Sequence, residues 1–415
     1  MNAEDAVDQE AFDLISRRFA SRLNRRTLAG VAGLGLAAVA IQPDSGEAKK
    51  KKKKKKKNTT TTPAPSCTPD TKSKTCTGKC GNVTNNCQQT VDCGACPQCQ
   101  GVSSSTELQA AVDATGTGAT LTLCEGTWKP SSQVTVGRNM TIRGAGAGKT
   151  IIDGNNRTRL FFISNEAEVT VEGLTITNGK GNSGGAYVFY KGKLHLRNVE
   201  ITSCEATDSG GGVYANGWLY LHEGVHIHGN RATVDGGGVG LAGFLTMYEG
   251  SRITNNTAGY GGGGISSFSS SIVMETGSQV SGNRARTGGG IAADGDLTMK
   301  AGSVVGGDQP QDANAAVGNG GGIYGGSVTL ESGSRVSGNQ ADTGGGCYFN
   351  GGGILKSGSM VTGNSAQTSG GIYGLYPGDA NVESGSIVCN NLPLSDQCFR
   401  VTGDCPTTSD GVCRA

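Results

Sequence analysis

From residue 211 to residue 391, apolar and polar positions follow one pattern that is repeated seven times. Each copy contains a glycine cluster, an apolar residue, a short alternating run, a Gly-Ser corner and an asparagine. Alternation with a period of two predicts β-strands, and the copies lack the 3.6-residue period of an amphipathic helix. One copy is about 27 residues long, so it cannot bury an apolar face alone and has to stack on its neighbours. We therefore predict an all-β fold, a right-handed parallel β-helix solenoid.

Three positions of the repeat are expected to stack on themselves from coil to coil. Side-chain amides at a buried corner can bond to one another and to turn backbone, which gives the asparagine a structural role. The apolar position before the corner is occupied by Leu221, Met247, Met274, Met299, Leu330, Leu355 and Val382. The one after it is occupied by Ile227, Ile253, Val280, Val305, Val336, Val361 and Val388. The asparagine position is assigned to Asn230, Asn256, Asn283, Asp308, Asn339, Asn364 and Asn391.

Both ends of the solenoid carry signs of a cap. The residues from Ser104 to Glu107 form a capping-box pattern ahead of LQAAVDA, which predicts a short N-terminal capping helix with Leu108, Ala111 and Val112 on its buried side. Cysteines concentrate at the ends, which predicts disulfide-rich ends if the protein is exported. They are Cys67, Cys76, Cys80, Cys87, Cys93, Cys96, Cys99 and Cys124 at one end, and Cys389, Cys398, Cys405 and Cys413 at the other.

One cysteine run and two isolated cysteines allow interpretations other than disulfides. The run CGACPQC also has metal-ligand spacing, but it has no histidine nearby, so disulfides are favoured over zinc or a cluster. Cys204 falls in an asparagine position and Cys347 in an apolar position of the repeat. We expect both to be buried thiols rather than nucleophiles.

The first 66 residues are interpreted as an export signal followed by a linker. Arg25 and Arg26 precede a glycine-rich apolar run that is too short to span a membrane, an arrangement that resembles a twin-arginine export signal. An uncleaved Sec-type anchor is the alternative. The predicted organisation is an export signal at 1–48, a disordered linker at 49–66, a Cys-rich module at 67–100, the β-helix at 101–391 and a Cys-containing cap at 392–415.

Charge is unevenly distributed between the linker and the β-helix. Residues 1–57 hold 14 of the 36 basic and 7 of the 34 acidic residues, so the rest has 22 basic and 27 acidic residues and a net charge of −5. That balance disfavours nucleic-acid binding by the β-helix. The nine-lysine block from Lys49 to Lys57 is either a solvated spacer or a contact to anionic wall polymers or lipid headgroups.

Two family resemblances cover most of residues 101–391. Gly126-Thr127-Trp128, the run from Thr141 to Gly154 and the run from Gly173 to Gly179 are similar to the early coils of the pectate-lyase-like β-helix superfamily. The later motifs GG-A/G-I/V and V/I-x-x-N resemble the repeats of chlamydial polymorphic outer-membrane proteins. The aromatic residue of that family's second motif is missing in this chain. The resemblance implies a right-handed β-helix, and it leaves the function open because this superfamily contains lyases, hydrolases, esterases and adhesins.

Candidate catalytic residues are few. Asp208 and Asp235 precede the glycine clusters of successive coils and are the pair expected to act if the protein is an enzyme, although acidic residues before glycine are ordinary turn formers. A lyase would also need Ca²⁺; otherwise no cofactor is expected. The segment from His222 to His226 matches H-E-x-x-H, but it aligns with a strand-corner-strand stretch rather than a helix, so no metal site is predicted there.

The strongest surface feature is aromatic. The position after the first apolar residue of each coil should point outward, and it carries tyrosine in five coils and a small residue in the three coils between. Sugars stack on such rings, although the alternative, a ladder that only stiffens the strand stack, is slightly favoured. The tyrosines are Tyr187, Tyr214, Tyr324, Tyr348 and Tyr373.

These features favour a monomeric, non-enzymatic protein that is secreted by a prokaryote or displayed on its cell surface. We expect it to bind glycan or another surface polymer through the tyrosines. The alternative is a pectate-lyase-like lyase or hydrolase that acts on an acidic polysaccharide. The regularity of the repeats, with no coil that departs from the pattern to carry charge, favours binding.

Overall fold

The computed structural model describes residues 69–76, 82–92, 101–104, 107–164, 166–393 and 397–403. From residue 120 onward they form a parallel β-solenoid of about ten turns, which confirms the predicted fold class. Each coil has three main sides, which we call faces A, B and C in chain order. A short side, D, leads through the glycine cluster to face A of the next coil.

The strands are short and lie in the same place in successive coils, and a few long ones run through two faces. Face A consists of Val134–Val136, Phe161–Ile163, Ala186–Val188, Val213–Ala215, Val239–Leu241, Ile265–Ser267, Ile291–Met299, Ile323–Leu330, Cys347–Phe349, Ile372–Gly374 and Cys398–Phe399. Face B consists of Thr120–Thr122, Met140–Arg143, Glu168–Thr177, Lys193–Thr202, Trp218–Leu221, Phe244–Met247, Ser271–Met274, the ends of Ile291–Met299 and Ile323–Leu330, Gly353–Leu355, Ala380–Val382 and Val401–Gly403.

Face C and side D complete each coil. Face C consists of Gly126–Trp128, Thr150–Asp153, the ends of Glu168–Thr177 and Lys193–Thr202, His226–His228, Arg252–Thr254, Gln279–Ser281, Val304–Gly306, Arg335–Ser337, Met360–Thr362 and Ile387–Cys389. Side D consists of Lys180–Gly181, Glu205–Ala206, Arg231–Ala232, Thr257–Ala258, Arg284–Ala285 and Ala315–Ala316.

The predicted apolar positions stack as expected. The position before the corner pairs in unbroken register from Leu221 to Val382 on face B. The position after the corner does the same from Ile227 to Val388 on face C. These side chains are almost fully buried and form one continuous core along the solenoid. Each apolar position therefore packs on the same position of the next coil, and this packing explains why the sequence repeats.

The asparagine position forms a buried ladder. At Asn256, for example, Nδ2 donates to Oδ1 of Asn283 at 3.1 Å and to the carbonyl oxygen of Ile227 at 3.0 Å, while the backbone N–H donates to the same Oδ1. Every polar atom of the amide is paired, as a buried site requires. The ladder runs through Asn230, Asn256, Asn283, Asn314, Asn339, Asn364 and Asn391, and Gln397 ends it.

One member of the predicted ladder is wrong. Asn314, and not Asp308, occupies the position in its coil. After Val304–Gly306 the chain makes an excursion that contains a 3₁₀ helix, Pro310–Asp312, and only then returns to the ladder. Asp308 lies on the surface, where its carboxylate pairs with Arg335 at 2.8 Å. An ionised side chain could not replace a buried amide without leaving a charge unpaired.

The N-terminal end is closed by the predicted helix, Leu108–Ala114, with Leu108, Ala111 and Val112 buried. Glu107 itself is the N-cap and accepts a hydrogen bond from the backbone of Gln109, so the predicted capping box is wrong. The side-chain amide of Gln109 pairs with both backbone groups of Thr135, in the first strand of face A. The helix therefore covers the core and satisfies an open strand edge.

Contacts divide the chain into two compact units, and the β-helix belongs to the larger one. That unit also contains a second short helix, Lys72–Cys76. Two short strands, Asn82–Thr84 and Thr90–Asp92, pair with each other. In the smaller unit, Oδ1 of Asn85 accepts hydrogen bonds from the backbone of Cys87 and Gln89 and so closes a turn.

At the C-terminal end, strands continue the stack into the segment predicted as a cap. Cys398–Phe399 pairs with Ile372–Gly374, and Val401–Gly403 pairs with Ala380–Val382. Four of the described cysteines are disulfide-bonded: Cys87, Cys124, Cys389 and Cys398. The export signal, the lysine block, the other N-terminal module cysteines, Cys405 and Cys413 lie outside the described residues, apart from Cys76 in its helix. No helix among the described residues is long and apolar enough to cross a bilayer.

Candidate functional site

The five predicted tyrosines share one position on the outer side of face A, and the structure arranges them in two stacks of nearly parallel rings. In the first stack, Tyr187 lies between Phe162 and Tyr214, with ring centroids 5.6 and 5.7 Å away. In the second, successive centroids are 5.3, 5.0 and 5.0 Å apart. The second stack consists of Tyr324, Tyr348, Tyr373 and Phe399. Phe162 and Phe399 occupy the same position and were not predicted as members.

Stacking covers most of the ring surface. Tyr214 is only 4% exposed and Tyr348 only 7%. The expectation that all five rings are accessible therefore fails for these two, because Tyr348 lies between two rings and Tyr214 lies between Tyr187 and the backbone at Gly240. The two ring faces that border the small-residue coils belong to Tyr214 and Tyr324, at the ends of the two stacks.

Between the stacks lies a gap of three coils, whose outward positions are Gly240, Ser266 and Ala292. A Cβ atom on Gly240 would be 2.8 Å from the ring of Tyr214, so this coil needs glycine for the ring to lie over it. Ser266 is buried at the floor. We call this region the three-coil gap.

Carboxylates border the three-coil gap. Asp235 is 6% exposed and accepts a hydrogen bond from the backbone of Gly261 at 2.6 Å. Burial is the main reason that the pKa of Asp235 is raised to about 6; the Gly261 hydrogen bond opposes this, and the charges of Asp208 and Asp294 add to it. The two predicted catalytic aspartates thus interact electrostatically, and Asp294 joins them as a third member.

The same aspartate charges act on the tyrosines at the ends of the two stacks. Burial raises the pKa of Tyr214 well above its ordinary value, and Asp208 and Asp235 contribute. Burial also raises the pKa of Tyr324, with a contribution from Asp294. Both phenols therefore stay neutral at physiological pH and can act as hydrogen-bond donors.

Next to the three-coil gap, at the corner between faces A and B, is a shallow depression of about 350 Å³. Phe244 lies at its edge, 49% exposed, with its other face stacked on Trp218 at 5.7 Å. The sequence reasoning missed this pair, although the two residues are one repeat apart in the same position of face B. The lining residues are Ala242, Gly243, Phe244, Ser269, Ser270, Ser271, Asp294, Gly295 and Asp296.

One coil departs from the repeat at this depression. The pairing of Ile291–Met299 with the next coil shifts register between Ala293 and Asp296, which marks a bulge. The bulge carries Asp294 and Asp296, both exposed. The expectation that no coil breaks the pattern to carry charge is therefore wrong. Bulges often redirect side chains beside functional sites.

The H-E-x-x-H segment lies in a strand-corner-strand stretch, as expected. It begins directly after the strand Trp218–Leu221, passes a corner with Gly224 at φ +73°, and ends at the first residue of His226–His228. In the described residues, no group of three or more His, Cys, Asp or Glu side chains could hold a metal ion.

The two isolated cysteines have the environments that were predicted. Cys204 and Cys347 are free and buried. Cys204 starts the asparagine ladder by donating its backbone N–H to Asn230, and Cys347 stacks between Ile323 and Ile372. Burial raises the pKa of Cys204 to about 12, so its thiolate, the nucleophilic form, is scarce.

Comparison with protein-family models, with curated proteins and with solved structures finds no match for this chain.

Proposed function

We propose that this is an exported β-helix protein that binds a short segment of a glycan in the three-coil gap and the adjoining depression. The observation that carries the proposal is the interruption of the tyrosine stacks: three small residues replace the rings between Tyr214 and Tyr324, beside an exposed Phe244. Sugar rings stack on aromatic faces and bond to carboxylates and hydroxyls, and all of these groups are present here.

The dimensions suit an oligosaccharide. Tyr214 and Tyr324 are four coils apart, which at about 4.8 Å per coil is about 19 Å. Phe244 offers a free ring face, since Trp218 covers the other one. Asp294 and Asp296 stand at the same depression and can accept hydrogen bonds from sugar hydroxyls.

Charge favours a neutral or amino-sugar polymer over an acidic one. Asp208, Asp235, Asp294 and Asp296 all lie at or near the site, and they would repel uronate groups unless a cation intervened. The proposed ligand is therefore a neutral or amino-sugar polymer rather than any surface polymer.

Retention on a panel of immobilised polysaccharides tests the proposal. Phe244→Ala should weaken retention about tenfold or more, because it removes the accessible ring. Tyr376→Ala is the matched control, since Tyr376 is a 58% exposed ring outside the residues that line the depression. Ala292→Tyr should extend the second stack into the three-coil gap and abolish binding. Retention unchanged in both Phe244→Ala and Ala292→Tyr would disprove the proposed site.

A second candidate is a glycoside hydrolase that uses the same site. Its support is Asp235, whose raised pKa suits a general acid, together with the neighbouring carboxylates of Asp208 and Asp294. In this mechanism Asp235 protonates the glycosidic oxygen, and a second carboxylate serves as base or nucleophile on the opposite side of the sugar.

Release of reducing ends from the retained polysaccharide distinguishes the two candidates. A hydrolase should lose activity as pH rises above about 6, where Asp235 ionises, and Asp235→Asn should remove it. Retention without product, in wild type and Asp235→Asn alike, supports binding alone.

The export part of the proposal rests on the twin-arginine-like segment and is supported by the disulfide-bonded ends. The block from Lys49 to Lys57 would attach the protein to anionic wall polymers or lipid headgroups. Attachment of this kind should be released by raising the salt concentration, and deletion of residues 49–57 should have the same effect. Binding that resists both would rule out electrostatic attachment.

A further inference from the structure

All four histidines of the chain lie on two neighbouring coils, and the fold pairs them differently from the sequence motif. Nε2 of His222 lies 3.2 Å from Nδ1 of His195, which comes 27 residues earlier, one coil away. His226 and His228 follow on face C and have other partners: Thr254 for His226 and Glu200 for His228. The pair that could act together is therefore His195 and His222.

A carboxylate stands behind His195. Its Nε2 lies 3.4 Å from Oε1 of Glu168, on the preceding coil, and the other oxygen of Glu168 is 3.1 Å from Nζ of Lys193. This contact favours the tautomer with the proton on Nε2, which directs the lone pair of Nδ1 toward His222. Histidine ligands of metals commonly have a carboxylate in this place.

Neighbouring rings hold both imidazoles in position. His195 stacks on Tyr220, with ring centroids 4.4 Å apart, and His222 stacks on Tyr248 at 4.7 Å. Two nitrogen ligands at about 2.0–2.1 Å from a tetrahedral metal are about 3.3 Å apart. The observed separation of 3.2 Å matches this spacing.

We propose that His195 and His222 form a binding site for a late transition-metal dication, with Nδ1 of His195 and Nε2 of His222 as ligands and water completing the coordination. Two imidazole ligands from the protein give Cu²⁺ the highest affinity, followed by Ni²⁺ and Zn²⁺. On binding, the proton of His222 moves from Nε2 to Nδ1, so two neutral imidazoles bind without net release of a proton.

The electrostatics support neutral ligands and set a limit on affinity. Burial lowers the pKa of His195 and lowers that of His222 to about 4, so both rings are neutral at pH 7. Arg197 contributes to both shifts, and its positive charge opposes a dication. Glu168 offsets part of this repulsion from behind His195.

Titration of the full-length chain with Cu²⁺, followed by calorimetry and pulsed electron paramagnetic resonance, tests the proposal. We expect modulation from imidazole nitrogen in the wild type. His195→Gln and His222→Gln should each weaken binding about tenfold or more, and Glu168→Gln by about tenfold. Arg197→Gln should strengthen binding, because it removes a repelling charge.

His226→Gln is the matched control, since its ring is held by Thr254 on the same pair of coils. Circular dichroism of each variant verifies that the β-helix has formed. The proposal is overturned if Cu²⁺ binding shows no imidazole modulation, or if His195→Gln and His222→Gln bind as tightly as the wild type. It is equally overturned if His226→Gln causes the larger loss.

Discussion

The asparagine ladder and the tyrosine stacks each use one fixed position of the repeat. The ladder is continuous, whereas the row of rings is interrupted. The ladder runs from Asn230 to Asn391 and resumes even after the excursion at Pro310–Asp312. The rings stop at Tyr214 and start again at Tyr324. A buried amide satisfies two neighbours at once, whereas an outward ring adds only about 0.5–1.5 kcal/mol per stacked pair. The outward position can therefore be given up where another role needs the space.

Breaking the ladder should have the largest effect. Asn283→Ala leaves the backbone N–H and Nδ2 of Asn256 without their acceptor in a dry interior. We expect the free energy of unfolding to fall by about 3–5 kcal/mol. Denaturant unfolding measures this, with the exposed Asn381→Ala as control. A loss no greater than the control's would show that the ladder does not stabilise the fold.

Breaking a ring stack should cost less. Tyr348 lies between two rings, and Tyr348→Ala removes both contacts. We expect a loss of about 2–4 kcal/mol in the free energy of unfolding. Tyr373→Leu keeps apolar bulk but removes stacking, so it should lose less than Tyr348→Ala. The reverse order would mean that ring geometry matters more than burial.

Neutralising the buried carboxylate beside the three-coil gap should stabilise the protein. The pKa of Asp235 is about 6 in the folded state against 3.8 as its ordinary value, so its contribution to stability falls as pH rises from about 4 to about 7. Asp235→Asn keeps an acceptor for Gly261 and should raise the free energy of unfolding at pH 8 by about 1–3 kcal/mol.

The same substitution should have little effect at pH 3.5, where Asp235 is protonated in the folded state and mostly protonated in the unfolded state. Urea unfolding at the two pH values tests this, with the exposed Asp308→Asn as control. An equal gain at both pH values would point to a cause other than ionisation.

Filling the three-coil gap should have the smallest effect on stability. Ala292→Tyr places a ring next to Tyr324 and should add about 0.5–1 kcal/mol, measured by thermal unfolding. Ala292→Leu separates ring stacking from simple burial and should add less. A strong destabilisation by Ala292→Tyr would mean that the loops around Asp235 leave no room for a ring.

Much of the fold could be predicted from the sequence because its pattern is repeated and its interior is made of like residues. The apolar positions from Leu221 to Val382 align without any knowledge of three-dimensional contacts. The alignment of the repeats failed in the one coil that is longer than the others. Asp308 has the spacing expected of the ladder position, but only a buried amide fits there, and that amide belongs to Asn314.

The candidate site was less predictable because it depends on contacts between coils. The tyrosine position was found, but the covering of Tyr348 follows from ring spacing that no single copy of the repeat contains. Likewise, His222 was read with His226 along the chain, whereas its partner is His195 across the stack. The bulge that carries Asp294 arises from a shift in register, which is a property of two strands together.

Glutamine side chains at the two ends of the solenoid affect how separate molecules meet. Gln109 occupies both backbone groups of Thr135 in the first strand of face A, and Gln397 takes the last place in the asparagine ladder. An open end of a parallel stack is a template on which another chain can continue the pairing. By filling these two sites with its own amides, the chain leaves fewer groups free to pair with the end of another molecule.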